Sequence, residues 1–146
     1  TNNKYINTFS FLEEKLKLVV HKNHKLSKRK TINIDDLKEQ EFILFNSDFY
    51  LNDKIKNTCR NYGFNPNMIF ETTQWSFIEE MLLNNLGVCI LPEGILELLD
   101  NNLKAIDINE PSMKWELAIV WRKDIIVDSL TKNWIKFLQE NFLINY

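Results

Sequence analysis

Short compact apolar runs alternate along this chain with stretches whose apolar residues recur every three or four positions. In FLEEKLKLVV, residues 11 to 20, Leu16, Leu18 and Val20 recur at the period of two expected of a strand. A basic loop follows over residues 21 to 30. TINIDDLKEQ sets Asn33 ahead of two aspartates, which predicts the start of a short helix. EFILF, residues 41 to 45, is an uninterrupted apolar run of the buried-strand type. In NSDFYLNDKIKNTCRNYGFNP, Ser47 or Asp48 is the expected N-cap. Leu51, Ile55, Cys59 and Tyr62 share one helix face, Gly63 is the expected left-handed stop, and Pro66 ends the connection.

NMIFETT, residues 67 to 73, is the next strand. Thr73 can cap a helix through about Asn85 whose Trp75, Ile78, Leu82 and Leu86 share a face, and Gly87 is expected to terminate it. VCIL then forms a strand too short to alternate. EGILELL, 93 to 99, reads as a short helix, LKAIDI, 103 to 108, as a strand, and MKWELAIVWRKD as a longer strand over 114 to 121. Asp128 caps a final helix with Leu130, Trp134, Phe137, Leu138 and Phe142 facing one way. This alternation of strands and helices predicts an α/β fold with right-handed crossovers and a mainly parallel sheet covered on both faces.

Composition narrows the picture. At 146 residues the chain has the length of one domain or slightly more, and its 45% apolar residues suffice for a real core. No apolar run approaches the ~18 residues of a membrane span, so no membrane partner is expected, and TNNKYINTFSF has no signal-peptide form. Cys59 and Cys89 both fall at apolar-face positions and read as small buried hydrophobes, which fits a reducing, cytoplasmic setting. Residues 1 to 73 carry 12 basic and 9 acidic groups, and residues 74 to 146 carry 6 and 11, so the chain is a poor independent nucleic-acid binder. The one basic patch, KLKLVVHKNHKLSKRK, has no interleaved aromatics and reads as a solvated loop. The chain opens without a methionine on an uncapped polar run, as a piece of something longer would.

Catalytic chemistry finds no support. There is no G-x-G-x-x-G, no phosphate loop, no nucleophile elbow and no H-E-x-x-H. His21 and His24 lie in the basic loop without a neighbouring acid in sequence, and Asp35-Asp36 and Glu79-Glu80 are adjacent pairs that point apart. Neither an enzyme, nor a cofactor, nor a metal is expected. Binding is better supported, because ligands of open α/β sheets sit outside the carboxyl ends of the strands, where helix N-termini also point. Two such junctions are polar beside an aromatic: Asn46-Ser47-Asp48-Phe49 and Thr72-Thr73-Gln74-Trp75. Asn46, Ser47, Phe49, Thr72, Thr73, Gln74 and Trp75 are the candidate ligand-binding residues, the alternative being that Ser47 and Thr73 are N-caps alone. Leu91-Pro92-Glu93 would supply a wall rather than donors.

The ordered series EKLKLVVHKNHKL, INIDDLKEQEFILF, CRNYGFNP, ETTQWSFIEEMLLNNLGVCILP and WELAIVWRKD, from about residue 11 to 142, resembles the effector-binding domain of LysR-type transcriptional regulators. The run TTQWSFIEEM looks closest to a subgroup from low-GC Gram-positive bacteria. The resemblance implies two α/β lobes of the type II periplasmic-binding-protein kind joined by two crossing strands. Residues 20–113 would then be the second lobe, and 1–19 with 114–146 remnants of the first. It further implies a small-molecule effector, an anion such as a carboxylate, held in a cleft between lobes, and a homodimer or tetramer in the full-length protein. DNA would be bound only through a helix-turn-helix outside this chain. The alternative is a solute-binding protein of the same fold. With much of the first lobe missing, the final helix would expose Trp134, Phe137 and Phe142 enough to drive association.

Overall fold

The computed structural model describes residues 5–124 and 128–141. The chain divides into two compact units, Lys15–Met113 and the pair Thr1–Glu14 with Lys114–Tyr146. One strand, β1 (Ile6–His21), is longer than its alternation suggested and contributes to both.

In the larger unit the remaining elements are β2 (Thr31–Ile32), β3 (Glu41–Phe45), α1 (Tyr50–Asn61), β4 (Asn67–Thr72), α2 (Trp75–Leu83), β5 (Cys89–Pro92) and β6 (Leu103–Ile108). β3 and β4 are parallel, and a bridge from Phe42 to Val88 leads parallel into β5. β1 lies between β5 and β6 and runs antiparallel to both, while β2 runs parallel to β6. The strands form two sheets, β2-β6-β1-β5 and β3-β4, so the expectation of one mainly parallel sheet holds only for the β3–β4 and β2–β6 pairs, and β1 runs antiparallel to both its neighbours in this unit. The core gathers where β1, β3 and β5 meet α2: Val19, Ile43, Ile78, Leu82, Cys89, Leu91 and Leu103 are all buried. Burying one such aliphatic side chain contributes about 1.5–3 kcal/mol. Cys59 and Cys89 are free and buried, and burial pushes their thiols up to about 11 and about 12.

The helix ends explain several departures from the expected pattern. Gly63, at φ +80°, ends α1 as anticipated. Its N–H reaches the Arg60 carbonyl at 2.9 Å and the Phe64 N–H reaches Cys59 at 3.2 Å, the paired bonds of a Schellman stop. α2 ends the same way, but on Asn85 rather than Gly87: Asn85 has φ 54°, and the Leu86 N–H bonds the Met81 carbonyl at 3.1 Å. Asparagine tolerates the left-handed region better than other non-glycine residues. Leu86 consequently turns away from the face it was expected to share and is 49% exposed. Residues 93 to 99 form a 3-10 turn, Glu93–Leu98, with no buried residue, not an α-helix. Asn33 opens a similar turn, Ile34–Leu37, where its N–H donates to the Asp36 carboxylate at 2.9 Å.

The smaller unit contains the first part of β1, β7 (Lys114–Arg122) and α3 (Ser129–Asn141). β7 pairs with β1. Lys114 pairs with Glu13 at 2.6 Å, Ser10 donates to Glu116, and the Lys123 N–H bonds the Tyr5 carbonyl at 3.0 Å; these partners run in opposite order, so the pairing is antiparallel. Asp128 accepts the Thr131 N–H at 2.7 Å, as an N-cap should. Ile135 is the buried residue of α3, whereas Leu130, Trp134 and Phe137 are exposed and Leu138 is half-buried. Phe142 lies outside the described residues.

Candidate functional site

The carboxyl ends of β3 and β4 lie side by side because the Asn46 N–H donates to the Thr72 carbonyl at 3.0 Å. That bond brings together the two polar junctions found in the sequence. After Phe45 the chain makes a tight turn. The Asn46 side chain accepts the Asp48 N–H at 3.3 Å and donates to the Asp48 carboxylate at 3.2 Å, and the Phe49 N–H bonds the Asn46 carbonyl at 3.1 Å. The turn swings the Phe49 ring over Phe45, with centroids 4.9 Å apart and an interplanar angle of 28°. After β4, Thr72 accepts the Gln74 N–H on its hydroxyl at 3.1 Å.

Neither junction is capped as expected. The residue at the N-cap of α1 is Phe49 and at that of α2 is Gln74, and no side-chain oxygen caps either helix. Ser47, Asp48 and Thr73 are therefore not caps, because the turns consume further residues before each helix begins. The Ser47 and Thr73 hydroxyls are exposed and make no hydrogen bond among the described residues. Asn46, Thr72 and Trp75 are half-buried, with Trp75 packed on the core, while Phe49 and Gln74 are exposed. The structure thus brings Asn46 and Thr72 into direct contact and sets Ser47, Phe49, Thr73, Gln74 and Trp75 around them on the same two junctions.

Sequence reasoning missed the groups behind this surface. Asn52, in the first turn of α1, is fully buried. Its amide donates to the Phe45 carbonyl at 2.5 Å and to Glu71 Oε1 at 2.8 Å, and Lys56 Nζ reaches the same oxygen at 3.1 Å. These bonds, that of Asn52 first and that of Lys56 second, hold the Glu71 carboxyl below its usual range. Asn52 Oδ1 is buried without a hydrogen-bond partner among the described residues. The network fastens α1 to the ends of β3 and β4, so the junctions sit on a braced support. A signal existed: Asn52 lies three and seven residues before Ile55 and Cys59, on the buried stripe of the helix.

No cluster of His, Cys, Asp and Glu among the described residues could hold a metal ion, and no described helix is long and apolar enough to cross a membrane. The arrangement offers hydroxyl and amide groups beside aromatic rings at two helix N-termini. It can hold a small polar molecule with a carbon skeleton.

Comparison with known proteins decides the family. The sequence model of the LysR substrate binding domain matches residues 4–143. The chain belongs to this family. It is 40% identical over 136 residues to the uncharacterised HTH-type transcriptional regulator YwbI of Bacillus subtilis, covering 92% of this chain and 45% of that protein. It is 31% identical over 112 residues to the transcriptional dual regulator GltC of the same organism, covering 76% of this chain and 37% of that protein. The chain therefore spans less than half the length of these relatives. Among solved structures, the regulatory domain of CcmR from Synechocystis superposes with a TM-score of 0.86 at 16% identity, over 99% of this chain and 71% of that one. The effector-binding domain of QuiR gives 0.83 at 20% identity, over 99% and 69%. These likenesses establish the fold of a LysR effector-binding domain, the type II periplasmic-binding-protein kind, as the resemblance implied. YwbI and GltC are transcriptional regulators.

Proposed function

We propose that this chain is the effector-sensing part of a bacterial LysR-type transcriptional regulator. In this reading residues 20–113 form the second effector-binding lobe and residues 1–19 with 114–146 belong to the first. The ligand is a small anionic metabolite, a carboxylate by preference, and its contacts are Asn46, Ser47, Phe49, Thr72, Thr73, Gln74 and Trp75. The carrying observation is that two helix N-termini without a side-chain cap stand at strand ends held together by the Asn46–Thr72 bond, with Ser47 and Thr73 exposed beside them and their hydroxyls unbonded among the described residues. Free backbone N–H groups and the positive ends of helix dipoles favour an anion. The structures of relatives with 2-PG, with shikimate and with benzoate support the ligand class by analogy.

The whole protein would work in the cytoplasm as a homo-oligomer. It would reach DNA through a helix-turn-helix outside this chain, and effector binding would shift the equilibrium between two arrangements of the oligomer. A thermal-shift screen of this chain against small carboxylates, neutral sugars and amines tests the reading. A carboxylate that raises the midpoint with wild type, and loses that effect with Thr73→Ala, supports it. A ligand that stabilises both proteins equally places the site elsewhere and overturns it.

A further inference from the structure

At the opposite end of β3 and β4 lies a hollow of about 250 Å³. Its wall includes His24, Lys25, Glu39, Glu41, Asn67 and Asn85. Glu41 and Asn67 are the first residues of their strands, whereas the junctions described above follow the last. At ~3.3 Å per residue the two places are roughly 13 Å apart along β3. We propose that this hollow is a second small-molecule site, separate from the junction surface, and that it takes a zwitterion of the amino-acid type.

The charges at its rim are the first argument. Neighbouring groups on the same surface find partners: Arg29 pairs with Asp36 at 2.6 Å and Lys38 with Asp35 at 2.8 Å. Lys25, Glu39 and Glu41 make no ion pair among the described residues, although both signs line one small hollow. The side-chain amides of Asn67 and Asn85 are likewise without a hydrogen bond among the described residues. A ligand with an ammonium at one end and a carboxylate at the other would satisfy both signs at once. A simple cation or anion would satisfy one and face the other.

His24 adds a donor to the wall. Its Nδ1 accepts the Leu26 N–H at 3.2 Å, so the neutral ring carries its proton on Nε2. Burial first, and the Lys25 charge second, lower its pKa, which keeps the ring neutral at pH 7. The wall is also fixed in place. Gly87 packs against the Glu41 carbonyl so closely that a Cβ would lie 2.6 Å from it, Asn85 is locked in the left-handed region, and the buried Gln40 side chain donates to the Asp36 carbonyl at 3.1 Å. The volume lies below the ~300–1,000 Å³ of pockets for drug-sized ligands, so the occupant is small. Leu86, also on the wall, offers an aliphatic surface for its side chain.

Amide NMR spectra of the isotope-labelled 146-residue chain, titrated with each of the common L-amino acids, test this. Succinate, 1,4-diaminobutane and sucrose serve as a dianion, a dication and a polyol. The expected result is that one or more amino acids move the Lys25, Glu41, Asn67 and Gly87 amides and leave Asn46 and Thr72 in place. Lys25→Gln and Glu41→Gln, both at exposed positions, should each weaken that binding roughly tenfold, as loss of a charged hydrogen-bond partner does. Their otherwise unchanged spectra report that the fold is kept. The proposal is overturned if no amino acid perturbs these amides, if succinate or the diamine binds as well, or if the shifts centre on residues 46 to 49 and 72 to 75.

Discussion

Gly87 stands against the backbone of Glu41, and a methyl group at position 87 would lie 2.6 Å from the Glu41 carbonyl oxygen and 3.2 Å from the Ile43 side chain. The close approach lets Val88 exchange backbone hydrogen bonds with β3, its N–H to Glu41 at 2.8 Å and its carbonyl from Ile43 at 2.9 Å. Glycine is needed here for space, not to stop a helix. Gly87→Ala should therefore destabilise the chain by about 1–3 kcal/mol, the usual cost of overpacking. Asn85→Gly, at the true helix stop, should instead raise stability by under about 1 kcal/mol. Urea unfolding of both variants checks the pair. A Gly87→Ala protein as stable as wild type would show that the close approach does not constrain position 87, and a destabilised Asn85→Gly protein would show that Asn85 is not the helix stop.

Ser47 and Thr73 occupy positions where a capping role and a binding role predict different outcomes. Loss of a true N-cap costs about 1 kcal/mol of stability. Because neither hydroxyl caps its helix, Ser47→Ala and Thr73→Ala should leave the unfolding midpoint nearly unchanged, while Thr73→Ala weakens carboxylate binding. Asp128→Ala in α3 is the control, since Asp128 does bond the Thr131 N–H, and that variant should lose about 1 kcal/mol. A stability loss at Thr73 as large as at Asp128 would show the hydroxyl to be structural.

What is legible in the sequence follows the reach of each interaction. EFILF and LKAIDI can be read to the residue, because polar residues flank each of them, Gln40 and Asn46 the first and Asn102 and Asn109 the second. β2, two residues long, carries no period and leaves no such mark. Ser47, Asp48 and Thr73 have capping chemistry and so suggest helix starts that come too early; only the observed turns show that the chain uses other residues for the bend. The two polar junctions are visible as composition. Their adjacency depends on the Asn46–Thr72 bond, and their support on Asn52 meeting Glu71 nineteen residues away, which no local pattern encodes.

Asn52 is the most exacting of these residues to replace. Asn52→Ala removes the donor to Phe45 and Glu71 together and leaves a void at a fully buried position, and should cost about 1–3 kcal/mol. Asn52→Asp keeps the shape but sets a second carboxylate against Glu71. Its instability should be greatest near neutral pH and should lessen on acidification, as one of the two carboxyls takes up a proton. Urea midpoints for both variants at pH 7 and pH 5 measure this. An Asn52→Asp protein as stable as wild type at pH 7 would mean that the network does not bear on folding.

Stability should also fall on both sides of neutrality, for reasons of opposite sign. Glu71 is held below the ordinary 4.5, by Asn52 and then Lys56, and Asp36 below 3.8, by the Asn33 N–H and then Arg29. A depressed carboxyl stabilises the fold above its unfolded pKa, and that stabilisation is lost as pH drops through the folded one. Lys17 behaves in reverse. It lies between Glu93 at 2.8 Å and Asp107 at 3.0 Å, whose bonds, that of Glu93 first, raise it above 10.5. Its contribution is complete below 10.5 and disappears as pH climbs through the raised value. The effect of each pair is modest, because the carboxylates facing Lys17 are about half exposed and solvent screens them. Midpoints measured across the pH range should show a shallower acid decline in Glu71→Gln and a flatter alkaline decline in Lys17→Met. An acid limb in Glu71→Gln as steep as in wild type would assign that loss to other carboxylates.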